Sequence, residues 1–169
     1  MAIVHPVTLS DDELLRQCDM QLTRRGGPGG QHRNKVETTV VLTHRETKLR
    51  AEAAERRSQS ENRQVALFRL RLLLALTYRT PKAASPKPSV LWQSRLVGSR
   101  IAVNPGHGDF PVLLAEVLDQ VEHARADLKE VASFFACSSS QLVKFLKLEP
   151  RALRSVNEQR LRQGLRPLK

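Results

Sequence analysis

Polar and apolar positions divide the chain into an alternating stretch followed by helical patterning. Ser10-Asp11-Asp12-Glu13 has the Ser-x-x-Glu spacing of a capping box, which predicts a short helix over 11–17. Cys18, Met20 and Leu22 then alternate with Asp19, Gln21 and Thr23, the period of a half-buried strand. A loop is expected over 24–35. Thr38, Val40 and Leu42 alternate with Thr39, Val41 and Thr43, β-branched and apolar enough for a second strand. His44-Arg45-Glu46 can turn the chain into a third over 47–53, which gives a small antiparallel sheet with one hydrophobic face. That face needs a cover. Ser60 is placed to cap a helix running to about Tyr78, with Val65, Phe68, Leu72, Leu73 and Leu76 as its apolar stripe. Arg63, Arg69, Arg71 and Arg79 fall on its other side or along the stripe's edges.

Pro81, Pro86 and Pro88, with Ser, Ala and Lys between them, interrupt the pattern, so 80–88 reads as a linker or surface loop. The remainder is helical in character. Asp109 and Pro111 open a stripe of Leu113, Leu114, Val117, Leu118 and Val121. Asp127 opens another with Leu128, Val131, Ala132 and Phe135. Ser138 to Gln141 repeats the capping-box spacing ahead of Leu142, Val143, Phe145 and Leu146. Pro150 suits a first helical position and Gly164 a helix stop. The expected fold class is α+β, a small antiparallel sheet covered by a long helix, then an all-α unit of about four short helices. The expected organisation is a first domain over 1–80, a Pro-containing linker and connecting segment over 81–100, and a basic helical unit over 101–169. No internal repeat is evident.

Charge narrows the partner. Against 17 Asp and Glu stand 28 Lys and Arg, a net charge of +11, which favours a polyanion through phosphate neutralisation and counterion release. Aromatics are 4% of the chain, too few for a binder built on base-stacking platforms. Cys18 and Cys137 lie far apart within apolar patterns and have no metal-ligand spacing. They read as reduced core thiols, which suits the cytosol. Residues 1–10 lack the pattern of a signal peptide, and the apolar run 65–76, interrupted by Arg69 and Arg71, is too short for a bilayer. The expectation is a cytoplasmic protein with no membrane contact.

Candidate chemistry concentrates in Arg24-Arg25-Gly26-Gly27-Pro28-Gly29-Gly30-Gln31-His32-Arg33-Asn34-Lys35. Four glycines among cations bring backbone N–H groups against a ligand at a cost in folding entropy that a plain turn does not require. A dinucleotide fingerprint needs its glycines between a strand and a helix, whereas here a strand follows, and the Walker Gly-Lys-Ser/Thr is absent. A flexible surface loop remains the plainer alternative.

The longer pattern Gly27-Pro28-Gly29-Gly30-Gln31, Asn34-Lys35, Thr43-His44, Arg57-Ser58-Gln59 and Asn62 resembles the catalytic domain of class I peptide chain release factors, shared by ribosome-rescue hydrolases. The resemblance covers 19–76. It implies a loop that enters the peptidyl-transferase centre of the large ribosomal subunit and promotes attack of water on the peptidyl-tRNA ester. Gly29, Gly30 and Gln31 are then the catalytic residues. The Gln31 backbone N–H stabilises developing negative charge, and its side chain borders the water site and excludes larger nucleophiles. Such domains often carry this glutamine methylated. Arg24, Arg25, Arg33 and Lys35 become contacts to ribosomal RNA phosphates, with solvated surface charge as the alternative. Gly27, Pro28, Asn34, Arg57, Ser58 and Gln59 support the loop, the last three by fixing the start of the long helix. His32 reads as RNA-facing or structural, and His44 as structural. The resemblance implies no cofactor and no metal.

Release factors that read stop codons carry a decoding domain before the catalytic one, whereas about 20 residues precede the loop here. The expectation is codon-independent rescue of stalled ribosomes by a monomer. Rescue factors use a basic tail in the empty mRNA channel, whereas here the C-terminal part is patterned as helices. Its span 128–146 resembles a helix-turn-helix, with Ala136 at the turn position that glycine often takes. Lys144, Lys147, Arg151 and Arg154 head a basic last quarter expected to contact rRNA, tRNA or the mRNA channel. The alternative is a non-catalytic RNA- or DNA-binding protein that uses this helix-turn-helix.

Overall fold

The structure, a computed structural model, describes residues 4–23, 38–80 and 86–169. The chain divides into two compact units, Pro6–Leu74 and Ala75–Lys169, the second joined by the N-terminal residues through His5.

In the first unit a 3-10 turn (Pro6–Thr8) leads into α1 (Asp11–Arg16). The expected capping box closes from both sides. Ser10 Oγ accepts from Glu13 N at 3.3 Å, and Ser10 N donates to the Glu13 carboxylate at 2.9 Å. A meander follows of β1 (Cys18–Thr23), β2 (Thr39–His44) and β3 (Arg50–Ala53), antiparallel in the order β1-β2-β3. β1 pairs with β2 from Cys18 opposite His44 to Thr23 opposite Thr39, and β2 pairs with β3 from Val40 opposite Ala53 to Thr43 opposite Arg50. With side chains alternating, this register puts Cys18, Val40, Leu42, Ala51 and Ala53 on one face. α2 (Gln59–Thr77) covers them with Ala66, Leu67, Leu70 and Leu74 in a single buried cluster that includes Leu14. The α+β class expected from the pattern is the class observed.

Three local expectations change. α2 buries Asn62, Ala66, Leu67, Leu70, Arg71 and Leu74, whereas Val65, Phe68, Leu72, Leu73 and Leu76 stay partly exposed. The helix is apolar on nearly every side over 65–76, so periodicity leaves its facing register open. Polar bonds decide it. Arg71 is 8% exposed because its guanidinium has buried work: Nη1 donates to Val7 O (2.5 Å), and Nη2 donates to Leu9 O (2.7 Å) and Asp11 Oδ1 (2.8 Å). The cap is Ser58 rather than Ser60, since Ser58 Oγ accepts from Glu61 N at 3.1 Å and donates to the Glu61 carboxylate at 2.9 Å. Finally, β1 buries only Cys18, and Met20 and Leu22 are exposed. β1 is an edge strand, and the other buried sheet residues of the cluster all belong to β2 and β3, where Ala51 and Ala53 let the helix come close.

The second unit opens with an element that the pattern does not predict, α3 (Val90–Arg95), capped by Ser89. Its Trp92 is fully buried. Trp92 Nε1 donates to Phe135 O at 3.0 Å, and its ring centroid lies 4.2 Å from that of Phe135 and 5.7 Å from that of Phe145. A two-residue pair, β4 (Leu96–Val97) and β5 (Arg100–Ile101), turns at Gly98, whose φ of +61° suits glycine. Then come α4 (Asp109–His123), α5 (Leu128–Phe134), α6 (Ser139–Lys147) and α7 (Pro150–Arg162). Asp127 and Ser138 cap α5 and α6, Pro150 opens α7, and Gly164 follows it at φ +71°. Ala136 holds the α5–α6 turn at φ +50°. Among the described residues no helix is long and apolar enough to cross a membrane.

Burial pushes the imidazoles of His5 and His44 below their ordinary pKa. A histidine kept neutral by the fold gains its proton on unfolding once the pH drops below about 6.5, so acid favours the unfolded chain. Urea midpoints should therefore fall as pH is lowered from about 7.5 to about 5.5. His44→Gln should remove part of that acid-side loss; an unchanged pH dependence would place the loss elsewhere.

Candidate functional site

Of the expected site, Arg24, Arg25, Gly27, Pro28, Gly29, Gly30, Gln31, Arg33, Asn34 and Lys35 lie outside the described residues. The structure defines the frame on which they are mounted. The chain leaves the sheet at Thr23 and re-enters at Thr39, and these two residues are direct antiparallel partners. Both ends of the segment are thus set by one rung of the β1–β2 ladder.

The second rail is α2. Asn62, on its first turn, is fully buried, and its amide uses three of its bonding positions. Nδ2 donates to Thr38 O at 2.6 Å and to Arg56 O at 3.0 Å, while Oδ1 accepts from Arg56 N at 2.9 Å. Thr38 is the last residue before β2, and Arg56 lies in the connection from β3 to α2. One side chain therefore ties the entry of the chain into β2 to the start of the helix. Asn62 N donates to Ser58 O at 3.1 Å, which, with the Ser58 cap, fixes the helix end from which Asn62 projects. Arg57 and Gln59 are exposed on either side of Ser58. Asn62 belongs to the sequence pattern, but the pattern assigns it no role; its spacing from Arg57-Ser58-Gln59 is the available signal.

Beside this root, Gln59, Ser60 and Arg63 line a cavity of about 200 Å³ together with Met20, Leu22 and Val40. The buried Thr39 Oγ1 and Arg63 Nε have no hydrogen-bond partner among the described residues. His44 sits at the other end of the sheet, opposite Cys18. Its Nδ1 bonds Thr47 Oγ1 (2.9 Å) and its Nε2 bonds Gln17 Oε1 (3.1 Å), so it joins the β2–β3 turn to the end of α1. Arg45 strengthens the same corner through Cys18 O at 2.9 Å. These contacts serve the fold and lie away from the loop root.

The four basic residues expected in the second unit differ in availability. Lys144 and Lys147 are exposed on α6 and line a groove of about 640 Å³. Arg154 is exposed on α7, where it and Lys147 flank a shallower hollow lined by Pro150, Leu153 and Leu161. Arg151 is exposed but committed. Its Nε and Nη2 bind the Glu149 carboxylate at 2.7 and 2.9 Å. The hydrogen bonds from Arg151 hold Glu149 below the usual carboxylate range, and Glu149 also caps α7 through Arg151 N. The carboxylate thus offsets a cation that solvated-charge reasoning counts as free.

The sequence profile of the RF-1 domain matches residues 10–99. A chloroplastic peptide chain release factor of Arabidopsis thaliana is 42% identical over 69 residues, which cover 41% of this chain and 15% of that protein. Peptide chain release factor 1 of Symbiobacterium thermophilum is 44% identical over 59 residues, 35% of this chain and 17% of that protein. An uncharacterised mitochondrial peptide chain release factor-like protein of Saccharomyces cerevisiae is 39% identical over 69 residues, 40% of this chain and 44% of that protein. The chain spans less than half the length of each of these relatives. No solved structure gives a significant match.

Asn62→Leu keeps the volume of the side chain but leaves Thr38 O and the Arg56 backbone pair without their partner. Each buried group so stranded costs roughly 1–3 kcal/mol. The variant should unfold at lower urea, and the Arg56 amide should exchange with deuterium faster. Stability and exchange equal to wild type would mean that Asn62 does not hold these two segments together.

Proposed function

This chain belongs to the RF-1 domain family, and we propose that it hydrolyses the ester of peptidyl-tRNA on the ribosome, in codon-independent rescue of stalled complexes. The observation that carries the reading is Gly29-Gly30-Gln31 within a segment whose two ends are partners in the sheet and whose re-entry is bonded by Asn62. That frame suits a loop that reaches into a foreign RNA site and relies on backbone geometry there.

The roles follow from the residue types. Glycine at 29 and 30 permits backbone conformations and close approach that a Cβ would obstruct. The Gln31 N–H donates to the negative charge that develops as water attacks the ester, and its side chain excludes nucleophiles larger than water. No side-chain base is assigned; the ribosomal RNA and the tRNA ribose form the remainder of the site. Arg24, Arg25, Arg33 and Lys35 neutralise nearby RNA phosphates. Rescue is supported by the part of the chain beyond the family domain, where the basic helices α6 and α7 expose Lys144, Lys147 and Arg154, suited to RNA.

Peptide release from ribosomes stalled without a stop codon tests the reading. Gln31→Pro removes the donor N–H and should cost about 10²–10³-fold in rate, the usual loss for one oxyanion donor. Gly30→Ala should be similarly impaired. Gln31→Ala keeps the N–H, so its defining effect should be increased release by hydroxylamine relative to water. Undiminished release by both Gly30→Ala and Gln31→Pro would exclude the mechanism, and release that requires a stop codon would exclude rescue.

A further inference from the structure

We infer that the groove between α6 and the carboxyl-terminal segment of the second unit binds the sugar-phosphate backbone of single-stranded RNA. The groove encloses about 640 Å³, and Leu128, Val143, Leu165 and Leu168 contribute apolar lining. Lys129, Lys144, Lys147 and Lys169 supply cations along it, and Ser139 and Ser140 bring hydroxyls.

The wall formed by the carboxyl-terminal segment is fastened in place. Asn157 Nδ2 donates to Leu168 O at 3.1 Å, and Asn157 Oδ1 accepts from Leu168 N at 2.7 Å. Arg160 donates from Nε to Arg166 O at 2.8 Å and from Nη1 to Ala126 O at 2.6 Å. Two side chains of α7 thus hold the tail's backbone, so the groove needs little ordering when a ligand enters.

Its lysines stand outside ion pairs, unlike many of the arginines. Arg45, Arg50, Arg69, Arg71, Arg95 and Arg151 each pair with a carboxylate. Lys129, Lys144 and Lys147 pair with none among the described residues. Asp127 also lines the groove and caps α5, accepting from Lys129 N at 2.8 Å; its one negative charge offsets part of the lysines' charge and leaves the lining net positive. Clustered unpaired ammonium groups repel one another, and a polyanion relieves that repulsion while releasing counterions. Among the described residues the lining has no aromatic ring, which leaves no stacking platform and favours backbone contact without base preference. The choice of RNA as the polyanion rests on the release-factor reading; the shape and charge of the groove do not.

The test uses the full chain and a short uridine homopolymer, with dissociation constants measured over a range of salt. Lys129→Gln/Lys144→Gln/Lys147→Gln should bind at least about tenfold more weakly at low salt, and its slope of log K against log salt should be shallower by about 2. The corresponding triple arginine variant should keep wild-type affinity and slope, which separates lost charge from lost fold. An unchanged slope in the glutamine variant, or equal weakening in both variants, overturns the proposal. So does polyglutamate displacing the RNA at equal charge, which would make the occupant an acidic polypeptide. Peptide release is followed in parallel. A wild type that binds RNA through these lysines and releases no peptide refutes the functional reading alone. One that releases peptide while the glutamine triple retains the full slope refutes the groove alone.

Discussion

The buried amide of Asn62 is the interaction on which the rest of the first unit depends. It occupies a position in the sheet-facing stripe of α2 where a leucine would otherwise add apolar burial. Burying an amide there is tolerated because its donors and acceptor are matched to Thr38 O and to both backbone groups of Arg56. Those three bonds set which face of α2 meets the sheet and fix where the chain re-enters β2. Arg71, two and a half turns further along, repeats the device by gathering Val7, Leu9 and Asp11. Between the two polar anchors, Ala66, Leu67 and Leu70 fill the space above Val40, Leu42 and the small Ala51 and Ala53.

Much of this fold is legible in the sequence wherever a local rule has a local cause. Ser10 with Glu13, Asp127, Ser138, Pro150 and Gly164 mark helix ends because their chemistry acts within a few residues. The strands are legible from β-branched alternation. The facing stripe of α2 is not, since leucine surrounds the helix over 65–76 and the deciding bonds from Asn62 and Arg71 reach segments distant in sequence. α3 escapes the pattern for a related reason. It is six residues long, follows a proline-rich stretch, and gains its place from Trp92 packing on Phe135 and Phe145, over forty residues away. The exposure of Met20 and Leu22 is hidden too, because alternation cannot show that the helix cover falls on β2 and β3 and reaches β1 only at Cys18. For the candidate site, the motif names the loop and the Ser58 region, but what Asn62 holds becomes visible only in three dimensions.

Arginine and lysine carry their charge differently. Arg45, Arg69 and Arg71 in the first unit, and Arg151 and Arg160 in the second, turn their guanidinium groups onto backbone carbonyls or carboxylates and act as fasteners. Lys129, Lys144 and Lys147 on α5 and α6 pair with no carboxylate among the described residues, beside a wall held by Asn157 and Arg160. Net basicity alone does not separate these uses. The planar fork of arginine suits fixed bidentate geometry, whereas lysine keeps a mobile point charge suited to a phosphate chain.

The most direct measurement is single-turnover peptide release by the full chain on ribosomes that hold peptidyl-tRNA and no stop codon, comparing wild type with Asn62→Leu under conditions where both are folded. If Asn62 positions the Gly29-Gly30-Gln31 segment, wild type releases the peptide and the variant is slowed by about tenfold or more, since small misplacements of reacting groups are costly. Equal rates for the two proteins, or no release by the wild type, would contradict it.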